Sequence, residues 1–120
     1  FETTLSSKTY KDKITEAITK GYNVSILFFW LRDVELAKER VKTRVIEGGH
    51  NIEEEVIERR YERGIINLFD LFLPMIEEAM IFDNSEGRSI IIAEKVKGED
   101  LTIIDETRFT QLKEYYESKK

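Results

Sequence analysis

Hydrophobic residues follow two different spacings in the first third of the chain. Between residues 8 and 20, apolar residues recur at helical spacing up to Gly21, which predicts an α-helix. Residues 24–31 form a nearly unbroken run of β-branched and aromatic residues, which is typical of a strand buried on both faces of a parallel sheet. We therefore predict a helix followed by the central strand of an α/β fold.

Two more helices are predicted on either side of a pair of glycines, Gly48 and Gly49. Asp33 is a favourable N-cap for the first of them, which extends to about Glu47 and carries one apolar stripe. Asn51 is predicted to cap the second, because a run of acidic residues follows it and would lie at the positive end of the helix dipole.

The apolar pattern of the second helix continues to about Glu78, which is too long for a straight helix. A proline removes a backbone donor, and a glycine weakens a helix interior. We therefore expect either a kink near Leu73-Pro74 or a break near Gly64.

Short strands and one helix complete the pattern. Residues 80–83 predict a short strand, and residues 89–94 and 101–104 predict two more that pair as a hairpin. The last helix is predicted to begin at Asp105 or Thr107. Together these elements predict an α/β fold that consists of half of a parallel sheet with flanking helices, plus a C-terminal β-hairpin and helix. Two parallel strands alone would leave an open sheet edge, through which copies of the chain could associate.

Composition sets bounds on size, partners and compartment. A chain of 120 residues is at most one domain, and its net charge of -5 argues against nonspecific binding to nucleic acid, which needs a basic face. The absence of cysteine is compatible with the cytoplasm. Every apolar run is too short or too interrupted by charge to span a bilayer. The first residue is Phe1 rather than methionine, so we expect the chain to start within a larger domain.

Five arginines lie on the two predicted helices that flank the glycine pair. Like charges four residues apart on a helix repel each other, which suggests that an absent polyanion balances them. A guanidinium group donates a fixed fork of hydrogen bonds that matches phosphate oxygens, so these side chains are candidates for a phosphate clamp on a mobile lid. The five are Arg40, Arg44, Arg59, Arg60 and Arg63.

The alternative is that these arginines belong to ordinary solvated helix faces. Glu55 precedes Arg59 by four residues and Glu62 follows it by three, which is the spacing of intrahelical salt bridges. The only histidine, His50, follows the glycines without a catalytic partner nearby in the sequence, and we interpret it as a hinge or cap residue.

Polar residues also follow the predicted strand ends, where ligands bind in parallel sheets. Glu2 and Thr3 precede the first helix and could contact a substrate, or form an ordinary capping cluster. Asn84, in the turn after residue 83, could line a base pocket or belong to an Asx-turn. Trp30 is predicted to lie in the core. None of the six glycines belongs to a G-x-x-x-x-G-K-S/T loop, so a cradle for nucleotide phosphates is missing from the sequence.

An ordered series of short motifs in the first 85 to 95 residues resembles the C-terminal half of the zeta-toxin family of P-loop kinases. The motifs are Phe1-Glu2-Thr3-Thr4-Leu5-Ser6, Gly21-Tyr22, Phe29-Trp30-Leu31, Arg40-x-x-x-Arg44-Val45-x-x-Gly48-Gly49-His50, Val56-Ile57-x-Arg59-Arg60-Tyr61, Asn67-Leu68-Phe69 and Phe82-Asp83-Asn84-Ser85.

This resemblance implies an ATP- and Mg²⁺-dependent kinase that phosphorylates a sugar nucleotide, UDP-N-acetylglucosamine in the toxins, with an antitoxin protein as a potential partner. It assigns Glu2 and Thr3 to the substrate, and it assigns Arg44 together with Arg59 or Arg60 to the phosphates. Related P-loop kinases further imply that Arg40 stacks on adenine with Asn84 on the other side of the base. The family's Walker loop and catalytic-base aspartate would precede residue 1.

The leading hypothesis is therefore the substrate-and-lid half of a cytoplasmic phosphotransferase that is inactive without its ATP-binding half. Residues 1–95 would belong to the kinase domain with a lid at about 40–63, and residues 96–120 would form a strand and helix extension. The alternative hypothesis is a non-catalytic interaction or oligomerisation domain that uses an exposed sheet edge.

Overall fold

The computed structural model describes the backbone of residues 9–120 and the side chains of residues 12–120. It confirms an α/β architecture in which helices pack against one sheet. The predicted substrate residues Glu2 and Thr3 lie outside the described residues. In chain order the elements are α1 (Thr9–Thr19), β1 (Ser25–Trp30), α2 (Val34–Ile46), α3 (Glu54–Asn67), a π-helical turn (Leu68–Phe72), α4 (Leu73–Met75), β2 (Glu78–Asp83), β3 (Ile90–Lys95), β4 (Thr102–Ile103) and α5 (Glu106–Lys119).

Within the described part of the chain, four strands form one sheet in the order β1-β2-β3-β4. β1 and β2 are parallel, and their carboxyl ends meet where Trp30 lies opposite Asp83. β3 is antiparallel to both β2 and β4, which confirms the predicted hairpin near the C-terminus. The sheet is therefore mixed, and the predicted parallel arrangement is limited to β1 and β2.

The prediction that β1 is a central strand buried on both faces is wrong for the residues that the structure describes. There β1 is an edge strand that pairs with β2 alone. Its side chains alternate between the helix layer and an uncovered face, on which Leu27 is 60% and Phe29 is 51% exposed. An unbroken apolar run indicates that a strand can be covered on both faces, but it does not say where the covering residues lie.

The hydrophobic core lies between the other face of the sheet and the helices. Ala79 and Ile81 of β2 are buried against the helix layer, and Trp30 lies in this core as predicted. α5 contributes Phe109 and Leu112, so the C-terminal segment shares one core with the rest of the described chain. The other buried members of the core are Ile14, Ile65, Leu68, Phe72, Leu73, Ile76, Ile92 and Ala93.

The helix after the glycine pair begins later than predicted and is interrupted at a different point. α3 begins at Glu54, and its N-cap residue Glu53 makes no side-chain capping hydrogen bond, so the prediction that Asn51 caps this helix is wrong. The helix continues through the buried Gly64 and then widens into the π-helical turn, which ends one residue before Leu73. Pro74 follows in the short α4, which ends at Met75.

α2 and α3 form a helical hairpin, held together by ion pairs between their facing sides. The Lys38 ammonium lies 2.5 Å from a Glu58 carboxylate oxygen, and the Lys42 ammonium lies 3.7 Å from Glu54. Hydrogen bonds to Glu58 and Glu35 raise the pKa of the buried Lys38 above its ordinary value, so this side chain is charged throughout the neutral range. The hairpin contains most of the predicted lid, residues 40–63.

The glycine pair closes this hairpin for two different steric reasons. Gly48 has a φ of 97°, a conformation that residues with a Cβ rarely adopt. Gly49 donates its N–H to the Arg44 carbonyl at 2.6 Å, and a Cβ added to Gly49 would lie 2.8 Å from that same oxygen. The sequence therefore needs glycine at both positions to turn from α2 into the loop before α3.

Gly49→Ala is expected to lower the free energy of unfolding by about 1–2 kcal/mol, because the new methyl group must displace backbone atoms rather than a flexible side chain. Urea denaturation of the variant measures this loss. His50→Ala is the control next in the chain: His50 is exposed, so its replacement is expected to change stability by less than about 0.5 kcal/mol. Equal stability of Gly49→Ala and the parent chain would contradict the tight turn.

Candidate functional site

The carboxyl ends of the two parallel strands are joined by hydrogen bonds between the loops that follow them. The Asn84 N–H donates to the Trp30 carbonyl at 2.8 Å, and the Arg32 N–H donates to the Ser85 hydroxyl at 2.8 Å. The Tyr61 hydroxyl of α3 donates to the Leu31 carbonyl at 2.5 Å, and burial raises the pKa of this hydroxyl. In α/β sheets ligands bind at the carboxyl ends of the parallel strands, where helices and loops converge.

Asp83 lies buried at the carboxyl end of β2, with 1% of its surface exposed. One carboxylate oxygen accepts hydrogen bonds from the Ser85 N–H at 2.9 Å and the Ser85 hydroxyl at 2.5 Å, which form the Asx-turn that the sequence offered as one of two alternatives for this loop. The other oxygen accepts from the Arg108 Nε at 2.9 Å and lies 3.3 Å from the Arg32 Nε.

Burial by itself raises the pKa of the Asp83 carboxyl, but the hydrogen bonds from Ser85 and Arg108 and the positive charge of Arg32 outweigh it. The pKa of Asp83 is therefore below its ordinary value, and the side chain is a carboxylate at neutral pH. A buried carboxylate that is fully paired in this way is well suited to hold the surrounding loops in one arrangement.

Arg108 links this carboxylate to the start of α5. Its Nη1 lies 2.6 Å from an Asp105 oxygen, while Asp105 also caps α5 by accepting the Arg108 N–H. The two hydrogen bonds from Arg108 lower the pKa of Asp105. Arg32 completes the set with a 2.9 Å hydrogen bond to Glu86. We call these six residues the strand-end cluster: Arg32, Asp83, Ser85, Glu86, Asp105 and Arg108.

The sequence indicated only part of the strand-end cluster. Asp105 was a predicted helix cap, and Asp83 and Ser85 were a predicted turn. Arg32 and Arg108 lie far apart in the chain. Nothing in the spacing of residues indicated that they share one carboxylate. The signal that was available is indirect: an aspartate at the end of a buried strand needs a cationic partner.

Arg40 of α2 contacts the same loop from the hairpin. Its Nη2 donates to the Asn84 carbonyl at 2.7 Å, and the Asn84 side-chain oxygen accepts a hydrogen bond from the Ser89 hydroxyl at 3.2 Å. The structure thus brings together the two residues that the resemblance places on either side of a base. Their role in base binding stays a prediction.

The three predicted phosphate-binding arginines, Arg44, Arg59 and Arg60, are exposed on the hairpin and lie at two different levels. The two ion pairs between the helices show that α2 and α3 run antiparallel, with residue 38 level with 58 and residue 42 level with 54. Arg59 and Arg60 are therefore level with residues 37 and 36, about 10 Å along the helix axis from Arg44 at 1.5 Å per residue. The hairpin in this arrangement presents these side chains separately rather than as a closed clamp.

The alternative interpretation, that these arginines belong to ordinary solvated helix faces, agrees with the exposure of Arg44, Arg59 and Arg60 on the hairpin. Within the described residues, Arg59 forms no ion pair with Glu55 or Glu62, although all three side chains lie on α3. Arg44 is also without an ion pair in this part of the chain. The exposed guanidinium groups are thus available to an external anion.

No family model, no curated protein and no solved structure matches this chain. The comparisons therefore assign the chain to no family, and the resemblance to zeta toxins stands on the sequence motifs alone.

An open cleft of about 660 Å³ adjoins the strand-end cluster between α2 and α5. Its floor contains Trp30, whose indole N–H makes no hydrogen bond within the described residues. The remaining lining residues are Arg32, Asp33, Leu36, Gln111, Glu114, Tyr115 and Ser118. Burial and the nearby carboxylates of Glu62 and Glu58 raise the pKa of Tyr115, so its hydroxyl is neutral at physiological pH.

The described residues contain no group of three or more His, Asp or Glu side chains that could hold a metal ion. None of their helices combines the length and apolar character needed to cross a membrane. Arg32 and Arg108 are both paired with carboxylates of the strand-end cluster, which joins the loops after β1 and β2 to the start of α5.

Proposed function

We propose that these residues form the substrate-and-lid half of an ATP-dependent small-molecule kinase that resembles the zeta toxins. The observation that carries this proposal is the hydrogen bond from Arg40 to Asn84, which joins the arginine-bearing hairpin to the loop at the ends of the parallel strands. A lid must reach the edge of the sheet where the nucleotide lies, and this contact is such a connection.

The exposed arginines of the hairpin support the same proposal. ATP supplies the phosphoryl group that is transferred. In the complete enzyme, Arg44 and Arg59 or Arg60 neutralise negative charge on the phosphates when the hairpin moves toward the sheet, and Arg40 with Asn84 orients the base. The described residues offer no group of three or more His, Asp or Glu side chains that could hold Mg²⁺.

The uncovered face of the sheet is where the ATP-binding half is proposed to dock. Leu27 and Phe29 are exposed on β1, and Phe29 stacks on Phe82 of β2 with their ring centroids 5.2 Å apart. Sheets of this class are normally covered on both faces, and an uncharged edge strand pairs readily with another strand. Additional strands and helices joined to β1 would bury this surface.

Calorimetric titration of the 120-residue chain with Mg-ATP tests whether ATP binding depends on the proposed ATP-binding half. The chain alone is expected to bind no tighter than the millimolar range, because its sequence lacks a glycine-rich loop that would hold the phosphates with backbone N–H groups. Micromolar affinity of the chain alone would contradict the proposed missing cradle. The same titration of Arg40→Ala shows whether any weak binding of Mg-ATP depends on Arg40 or is a nonspecific attraction between charges.

The second candidate function is a non-catalytic interaction domain, which the free edge and exposed apolar face of β1 favour. Sedimentation of the chain alone, compared with Phe29→Ser, distinguishes it from the kinase. Tight self-association that Phe29→Ser abolishes, together with an absence of phosphoryl transfer in a chain that carries an ATP-binding half, would favour the interaction domain.

A further inference from the structure

The loop after β2 is held by hydrogen bonds to the Asp83 carboxylate, which carries no proposed role in binding. Asp83 accepts both the N–H and the hydroxyl of Ser85, so the direction of the chain through Asn84 depends on the orientation of the Asp83 carboxylate. That carboxylate is in turn oriented by Arg108, whose Nε lies 2.9 Å from its outer oxygen. The loop that receives Arg40 is therefore positioned from α5.

Arg108 is suited to this task because its guanidinium group spans two carboxylates at once. Nε contacts Asp83 and Nη1 contacts Asp105, so the side chain is held at both ends and cannot rotate without breaking one contact. The planar fork of arginine makes such a double contact, whereas the single ammonium of lysine cannot reproduce it. Glu86 adds a weaker interaction 3.9 Å from Nη2 of Arg108.

We propose that Arg108, acting through Asp83, is a positioning residue that sets the place of Asn84 and thereby the base preference of the nucleotide site. This inference rests on the proposed function, because it needs a base beside Asn84. It extends that function to α5, which lies beyond the part of the chain that resembles the zeta toxins. Arg108 itself does not touch the nucleotide.

The experiment measures kcat and KM for ATP and for GTP in a protein that joins an ATP-binding half to these residues. In Arg108→Met, the KM for ATP is expected to rise by about tenfold with little change in kcat. A small displacement of Asn84 would weaken its contact with the base without touching the reacting phosphate. The preference for ATP over GTP is expected to fall by a similar factor, roughly tenfold, because the base contact is what is displaced. A purely structural role would lower stability without changing this preference.

Arg108→Lys keeps the positive charge and is the variant to use where Arg108→Met does not fold. It is expected to retain part of the preference for ATP, because one of the two carboxylate contacts can still form. Arg88→Met is the matched control: Arg88 is exposed near the end of the same loop, and it forms no hydrogen bond or ion pair within the described residues. Its KM and base preference are expected to equal those of the parent protein.

The outcomes separate this inference from the function on which it rests. A parent protein without ATP-dependent transfer would overturn the proposed function and the positioning role together. An active parent whose Arg108→Met and Arg108→Lys variants both keep the KM and the base preference would overturn the positioning role alone. A shift in base preference in the Arg108 variants, absent in Arg88→Met, is the result that supports it.

Discussion

Arg44→Ala is expected to lower turnover by about a thousandfold in the proposed complete kinase, while the KM for the acceptor changes little. An arginine that contacts the transferring phosphoryl group stabilises charge that develops in the transition state, and such residues contribute factors of about 10³ to 10⁵ in kcat. Arg44 is exposed and free of ion pairs within the described part of the chain, so its removal leaves no buried carboxylate unpaired. The loss should therefore appear in kcat rather than in stability.

Arg60→Ala is expected to act in the same direction, because Arg59 or Arg60 is the second proposed contact to the phosphates. Arg63→Ala is the matched control, since Arg63 is an exposed arginine on the same helix to which the family resemblance assigns no contact with the phosphates. Steady-state kinetics with varied ATP and acceptor concentrations separates kcat from KM. Unchanged turnover in both Arg44→Ala and Arg60→Ala would refute the lid assignment.

Asp83→Asn is expected to lower the free energy of unfolding by about 3 kcal/mol, the scale of removing one partner from a buried ion pair. The amide cannot serve as a charged partner for Arg32 and Arg108, which both lie within 3.3 Å of the same carboxylate oxygen. It also exchanges an acceptor for a donor next to Ser85 in one of its two orientations. Urea denaturation measures the loss, and Asp100→Asn, at an exposed site, is the control.

The pH dependence of this difference has a defined sign. The pKa of Asp83 is lower in the folded chain than in the unfolded chain, so its stabilising contribution is fully present above the unfolded value of about 3.9. The contribution is lost as the pH falls through the folded pKa. The difference in stability between the parent chain and Asp83→Asn should therefore be constant from neutral pH to about pH 5 and shrink below about pH 4. A difference that shrinks instead as the pH rises above neutrality would contradict the ion pairs of the strand-end cluster.

The local elements of this fold could be predicted because their signals are local. Asp33 caps α2 through a 2.9 Å hydrogen bond to the Glu35 N–H, as the sequence indicated, and Asp105 caps α5. The hairpin of β3 and β4 likewise follows from two short apolar segments separated by a polar turn that contains Gly98. The start of α3 was misplaced because Asn51 is a good capping residue by type, whereas the backbone is still extended at Glu53 and the helix begins at Glu54.

The long-range features could be predicted only in part. An apolar strand such as β1 has the same sequence pattern whether the residues that cover it lie inside or outside the described chain. The hydrogen bond from Arg40 to Asn84 joins two residues that the family resemblance places on either side of a base, but the spacing of residues alone gave no reason to pair them. Arg108 was missed because a cation in the first turn of a predicted helix carries no sequence signal for a buried partner 25 residues earlier.

Transfer of label from ATP carrying a labelled γ-phosphate to UDP-N-acetylglucosamine tests the central claim most directly. The assay compares the 120-residue chain alone with the same chain joined, ahead of residue 1, to a half that carries a G-x-x-x-x-G-K-S/T loop. The account predicts ATP-dependent transfer by the joined protein and none by the chain alone. Transfer by the chain alone, or a folded joined protein that transfers no label, would contradict it.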